Sequence, residues 1–216
     1  LREAVLTLHT PPRDADVAAL QAGTHPAQRR LALEELLAHQ LSLRRQRLSL
    51  QAEGTRALRG DERLVAALRD ALPFALTGAQ ARVYAQLQQD LSRPVPMLRL
   101  VQGDVGSGKT VVAAMAALLA VADGRQAALM APTELLAEQH LNNLRGWLEP
   151  LGLRVCWLAG KVTGKARAKA LQEVASGEAQ VVVGTHALMQ EGVEFHDLRW
   201  PSSTNSTASA CTSGWL

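Results

Sequence analysis

The chain has 216 residues with a formal net charge of +3 and a pI near 9.2, a balance that permits contact with nucleic acid without demanding it. Its 47% hydrophobic content supports a sizeable core and excludes wholesale disorder, whereas 3% aromatic content argues against stacking platforms of the single-strand-binding kind. Two cysteines, Cys156 and Cys211, exclude a disulfide framework and a four-cysteine zinc site, and no apolar run reaches the roughly 18 residues of a membrane-spanning helix.

The chain opens at Leu1 in what reads as mid-helix, with neither Met nor a signal peptide, as expected of a piece of something longer. Residues 1–70 read as mostly helical. Pro11 and Pro12 mark a turn, and Thr24 is the expected N-cap of a helix that starts near Pro26. From Ala27 to about Leu50, Leu31, Leu33, Leu36, Leu37, Leu41, Leu43 and Leu48 recur at roughly helical spacing. Arg29, Arg30, Arg44, Arg45 and Arg47 lie among them, as a solvated face or as phosphate contacts. Glu62–Leu72 is a further short helix.

From Pro73 strands and helices alternate. Thr77–Leu91 is helical, Met97–Gln102 a strand, Thr110–Ala122 an apolar helix, and Gln126–Ala131 a buried strand. Glu134–Leu148 is a helix, Leu153–Leu158 a strand, Lys165–Ala175 a helix, and Gln180–Gly184 a strand. This βαβα rhythm, with nearly continuous apolar strands, implies an α/β fold whose parallel sheet is covered by helices on both faces. Cys156, inside a strand, reads as a small core residue.

Gly103, Asp104, Val105, Gly106, Ser107, Gly108, Lys109 and Thr110 fill the pattern G-x-x-x-x-G-K-[ST] between a strand and a helix. Glycines there let successive N–H groups turn toward an anion, and the helix N-terminus adds partial positive charge. Lys109 is expected to reach the β- and γ-phosphates of a nucleoside triphosphate, and the Thr110 hydroxyl to ligate Mg²⁺.

With these flanks in view, residues 1–199 resemble the RecG family of bacterial ATP-dependent DNA helicases, which remodel forks and branched DNA. The specific stretches are THPAQRRLALEELLAHQLSLRR (Thr24–Arg45), LPFALTGAQ (Leu72–Gln80), MLRLVQGDVGSGKT (Met97–Thr110), ALMAPTELLAEQH (Ala128–His140), LAGKVTGKAR (Leu158–Arg167) and VVVGTHALMQ (Val181–Gln190). The transcription–repair coupling factor shares the motor type, but GDVGSGKT followed by APTELLAEQH favours the RecG family. The resemblance implies a P-loop, RecA-like sheet with a mostly helical linker before it. Residues 1–70 would be the end of a wedge domain and its linking helices, and 71–199 an incomplete N-terminal motor lobe. It implies ATP and Mg²⁺ as cofactors and forked or branched duplex DNA as partner. It further implies a monomer, not bound to membrane, serving DNA repair and recombination in the bacterial cytoplasm at the nucleoid.

By the same resemblance Phe74 and Gln80, with Thr77, form an adenine-side motif; an ordinary exposed helix start is the alternative. Thr133, beside Pro132 and Glu134, would bind DNA backbone, and it is also a natural N-cap. Lys161, Thr163 and Lys165, in the glycine-bracketed loop Gly160–Lys165, would contact phosphates without reading sequence; a plain surface loop is the alternative. Thr185 is a further DNA-backbone position. His186 receives no chemical role.

Such a motor needs an acidic pair after another apolar strand, an Asp for the Mg²⁺ shell and a Glu for the attacking water. In the family this reads DEQH, a short distance beyond GTHAL. Here strand and acids are missing from the reading. Residues 200–216, WPSSTNSTASACTSGWL, contain eight Ser or Thr, no charge, and neither helical nor strand period. Composition calls them a flexible tail. A one-base shift of frame can re-encode them as LAIVDEQHRFGVHQRLA, with codon choices that suit the GC-rich gene implied by 19 Arg against 4 Lys. A disordered tail or vector-derived sequence is the alternative. Without the acids the expectation is no meaningful ATPase or helicase activity. Other readings are a different P-loop enzyme, such as a small-molecule kinase, and a non-catalytic nucleotide- or DNA-binding remnant.

Overall fold

The apolar periodicities are realised as eight α-helices and six strands among the described residues, 1–52, 54–204 and, for backbone alone, 208–212, of a computed structural model. Two units divide the chain, Leu1–Glu53 and Gly54–Leu216.

The first unit holds α1 (Arg2–His9), α2 (Val17–Gln21) and α3 (Pro26–Ala52). α1 lies against α3, and Ala4 and Ala27 are buried. Thr24 does not cap α3: its hydroxyl donates to Ala19 O at 3.4 Å, and His25 Nδ1 accepts from Ala27 N at 3.2 Å instead. Leu33, Leu36, Leu37, Leu41, Leu43 and Leu48 are exposed within this unit, as are the five arginines interleaved with them.

The second unit begins with α4 (Arg63–Ala71) and α5 (Gly78–Leu91). β1 (Leu98–Gln102), α6 (Lys109–Ala122), β2 (Gln126–Met130) and α7 (Glu134–Leu148) follow. Then come β3 (Val155–Leu158), α8 (Gly164–Ala175), β4 (Val181–Gly184), β5 (Leu198–Thr204) and β6 (Ala208–Thr212). Sheet order is β1-β6-β5-β2-β4-β3. β5, β2, β4 and β3 pair in parallel, and β6 runs antiparallel to both β5 and β1. The sheet is therefore the expected parallel one with a single reversed strand.

Strand residues alternate between two apolar layers. Ala127, Leu129, Val181, Val183 and Trp200 pack with Val65, Leu68, Leu87, Met115 and Leu148 from α4 to α7. Ala128, Cys156, Leu158 and Val182 pack with Ala170 and Val174 of α8. Helix α6 is buried all round from Val111 to Val121, as suits an Ala-rich helix with no polar face. At Gly184 a Cβ would fall on the Leu158 carbonyl, so this strand end approaches β3 more closely than any side chain allows.

One expectation needs correction, and one helix can be placed. The helix expected at Glu62–Leu72 lies in the second unit, which begins at Gly54. Val65 and Leu68, both fully buried, commit α4 to the second core. And residues 200–204 are not a flexible tail: they complete β5, in parallel register with β2 from Ala127↔Trp200 to Met130↔Ser203. A strand slot asks for backbone pairing and burial first. The small polar side chains satisfy themselves by donating into β2, Ser202 Oγ to Ala128 O and Thr204 Oγ1 to Met130 O, each at 3.3 Å. Trp200 fits less well, since its Nε1 is a buried donor without a partner among the described residues. The missing strand is thus present. Of the positions that the shifted frame makes acidic, 204 is Thr on β5 and 205 lies outside the described residues.

Candidate nucleotide-binding site

β1 ends at Gln102, α6 starts at Lys109, and the loop between them stands at the carboxyl edge of the sheet, where open α/β folds bind ligands. Gly106 and Gly108 have φ of +83° and +80°, the region open to glycine, and Gly108 is the N-cap of α6. A Cβ at Gly103 would lie 2.7 Å from Ser107 Oγ. The loop thus has glycine where backbone must crowd. Lys109 Nζ donates to the carbonyls of Gly103 (2.7 Å) and Asp104 (2.8 Å), and no carboxylate pairs with it among the described residues. Asp104, Val105, Gly106 and Ser107 are exposed, leaving the loop open to an incoming anion.

Beside the loop lies a cleft of about 300 Å³ lined by Phe74, Lys109, Thr110, His140, Trp147 and Thr204, among others. Phe74 is therefore brought to the loop, and a hydrogen bond to Ser107 O brings Gln80 there. Gln80 also has structural work: with Thr77 it closes a capping box at the start of α5, Oε1 accepting from Thr77 N at 2.9 Å. Its Nε2 donates to Ser107 O at 2.9 Å, tying α5 to the loop. A Cβ at Gly108 would strike this amide, so glycine there leaves room for Gln80 as well as for the turn.

His140 was missed at the level of sequence. It lies seven residues after Thr133, two helical turns along the same face of α7, and so points back under the sheet edge. Nδ1 is 3.4 Å from Thr110 Oγ1 and Nε2 is 3.0 Å from Thr204 Oγ1. Burial lowers its pKa, favouring the neutral ring. Seven-residue spacing from the cap was the available signal. Its partner Thr204 could not be seen, because nothing local marks residue 204 as strand.

The DNA-side candidates gather at the carboxyl ends of neighbouring parallel strands: Thr133 after β2, Lys161 after β3, Thr163 and Lys165 at the start of α8, Thr185 after β4. Thr133 caps α7, accepting from Leu136 N at 3.4 Å. Thr163 and Thr185 hold N-cap positions without side-chain capping bonds, so their hydroxyls are not used up there. Lys161 pairs with Glu134 at 2.6 Å, joining the loops after β2 and β3, and this carboxylate raises the lysine pKa. Cys156 is buried in β3, and burial pushes its thiol up to about 11.

A family pattern described as DEAD/DEAH box helicase matches residues 77–202, from the N-cap of α5 into β5. The chain is 58% identical over 198 residues to the ATP-dependent DNA helicase RecG of Escherichia coli O157:H7, covering 92% of this chain and 29% of that protein. It is 47% identical over 195 residues to RecG of Acidithiobacillus ferridurans, covering 90% and 28%. It thus spans under a third of the length of these relatives. A solved structure described as RecG bound to a three-way DNA junction superposes with a TM-score of 0.73 at 39% identity, covering 80% of this chain and 24% of that one.

Proposed function

This chain belongs to the DEAD/DEAH box helicase family, and from that premise we propose that it is the nucleotide-binding lobe of a RecG-type, ATP-driven DNA motor which, as this polypeptide, binds ATP without meaningful turnover. The observation that carries the reading is the complete P-loop between β1 and α6, with Lys109 held by two carbonyls and open to an anion.

The residues present fit a triphosphate. Glycines at 103, 106 and 108 let backbone N–H groups converge, and the start of α6 adds its dipole. Lys109 would exchange its two carbonyls for phosphate oxygens, and Phe74 and Gln80 would border the base. Mg²⁺ would neutralise phosphate charge with Thr110 as its protein ligand. The fit to Mg²⁺ is partial, because Thr204 stands on β5 where the shifted frame has Asp, and a hydroxyl cannot supply that charge. Loss of such preorganised electrostatics costs on the order of 10² or more in rate.

Thr133, Lys161, Thr163, Lys165 and Thr185 would grip DNA backbone at the same sheet edge, the Glu134–Lys161 pair opening to release the lysine to phosphate. In a longer chain with the acids and a second lobe, nucleotide-driven opening and closing would move this grip along a forked or branched duplex in the bacterial cytoplasm, in repair and recombination. A fluorescent ATP analogue titrated with and without forked DNA, alongside phosphate release, tests this. Saturable binding with no DNA-stimulated release is expected. DNA-stimulated turnover at the rate of an intact motor contradicts it, as does absence of binding.

A further inference from the structure

The geometry points to His140 as a positioning residue that turns the Thr110 hydroxyl so that its lone pairs face the Mg²⁺ of a bound nucleotide. This rests on the nucleotide reading above and adds a residue which that reading leaves without a role.

The argument is one of proton direction. Thr204 Oγ1 lies 3.3 Å from Met130 O and 3.0 Å from His140 Nε2, and its one proton can go to either. With Met130 O as the acceptor, Nε2–H donates to Thr204 Oγ1 and Thr110 Oγ1 is left to donate to Nδ1, so that each proton of the relay has an acceptor; this is the arrangement assigned, with the ring proton on Nε2. In the neutral ring Nδ1 is then a bare acceptor, and the neighbour within reach is Thr110 Oγ1 at 3.4 Å. The Thr110 proton is thereby drawn toward α7. A hydroxyl that ligates a cation must do this, because its lone pair faces the metal and its proton must go elsewhere. Metal sites commonly depend on such outer hydrogen bonds to orient their ligands.

The relay also joins distinct parts of the fold. Met130 ends β2, Thr204 ends β5, Thr110 opens α6, and His140 belongs to α7, whose first turn carries Thr133 and Glu134. A shift of α7 would reach the Thr110 hydroxyl through one imidazole.

The test uses this chain with ADP, in Mg²⁺ or in EDTA, by isothermal titration. His140→Ala is expected to weaken Mg²⁺-ADP binding by about three- to tenfold, the worth of one hydrogen bond, with the EDTA affinity unchanged. His140→Asn keeps an acceptor near the Nδ1 position and is expected to recover most of the Mg²⁺-dependent affinity. Equal weakening in Mg²⁺ and EDTA, or no weakening in either, overturns the assignment while leaving the nucleotide reading intact. Wild-type chain that binds no ADP overturns both. Should His140→Ala not fold, ¹⁵N-histidine NMR of the wild-type chain decides: Nε2 protonated with Nδ1 bare is expected, and the opposite tautomer overturns the proposal.

Discussion

Thr204→Asp places a carboxylate at the end of β5, beside the P-loop, and its cost and benefit can be worked from the surroundings. Thr204 is 5% exposed, donates to Met130 O at 3.3 Å, and lies 3.0 Å from His140 Nε2. Aspartate cannot donate to Met130 O, so that carbonyl loses its side-chain partner and a nearly buried charge keeps only the imidazole. An unsatisfied buried polar group costs about 1–3 kcal/mol, more with charge. In a chain of this size about 3 kcal/mol lowers Tm by roughly 6–12 °C. Mg²⁺ with nucleotide would supply the missing counter-charge. Thermal melts of both proteins, with ATPγS in Mg²⁺ and in EDTA, read both effects. The variant should melt below wild type in EDTA and gain more from Mg²⁺-ATPγS, by about 1.4 kcal/mol if its affinity rises tenfold. Equal stability in EDTA, or the same Mg²⁺ gain in both proteins, would refute the placement of Thr204 at the metal side of the site.

Other consequences are open to measurement. Gly184→Ala drives a Cβ onto the Leu158 carbonyl and should destabilise by about 3 kcal/mol or more; Gly146→Ala, in α7 with open space around it, should stabilise by about 0.5–1 kcal/mol. Chemical melts of the two variants should shift in opposite directions. With Cys211→Ser in place, the Cys156 thiol should react with a disulfide reagent only as the chain unfolds. Its pKa is raised from 9.0 to about 11, because burial disfavours the thiolate. The stabilising contribution is therefore complete below pH 9 and lost as pH rises from 9 to 11. Stability that stays flat across that range, with Cys156→Ala behaving identically, would contradict the burial argument.

The helices and parallel strands were legible because their signals are local. α7 begins and ends at the expected Glu134 and Leu148, since Thr133 caps one end and the apolar period fixes the rest. The P-loop was legible because its glycines, lysine and threonine occupy fixed places between strand and helix. β5 was not legible: Ser202, Ser203 and Thr204 have no apolar alternation, and their strand state comes from pairing with β2, about 74 residues away in sequence. The core that α4 joins was not legible for a similar reason, since nothing in its nine residues says which core Val65 and Leu68 will enter. In the site, Lys109, Thr110, Phe74 and Gln80 were named from motif and resemblance. The link through His140 needed the fold, because it joins residues from α6, α7 and β5.

The most direct measurement is ATPγS binding to this chain and to Lys109→Ala by isothermal titration. Among the described residues the Lys109 side chain bonds only carbonyls of its own loop, and its removal leaves the buried core of α6 untouched. One-to-one saturable binding by the wild-type chain is expected, with a loss of about tenfold or more in a Lys109→Ala chain that melts at the wild-type temperature. Binding that ignores the substitution, or a wild-type chain that is folded yet binds no nucleotide, would contradict the assignment of residues 103–110 as a nucleotide site.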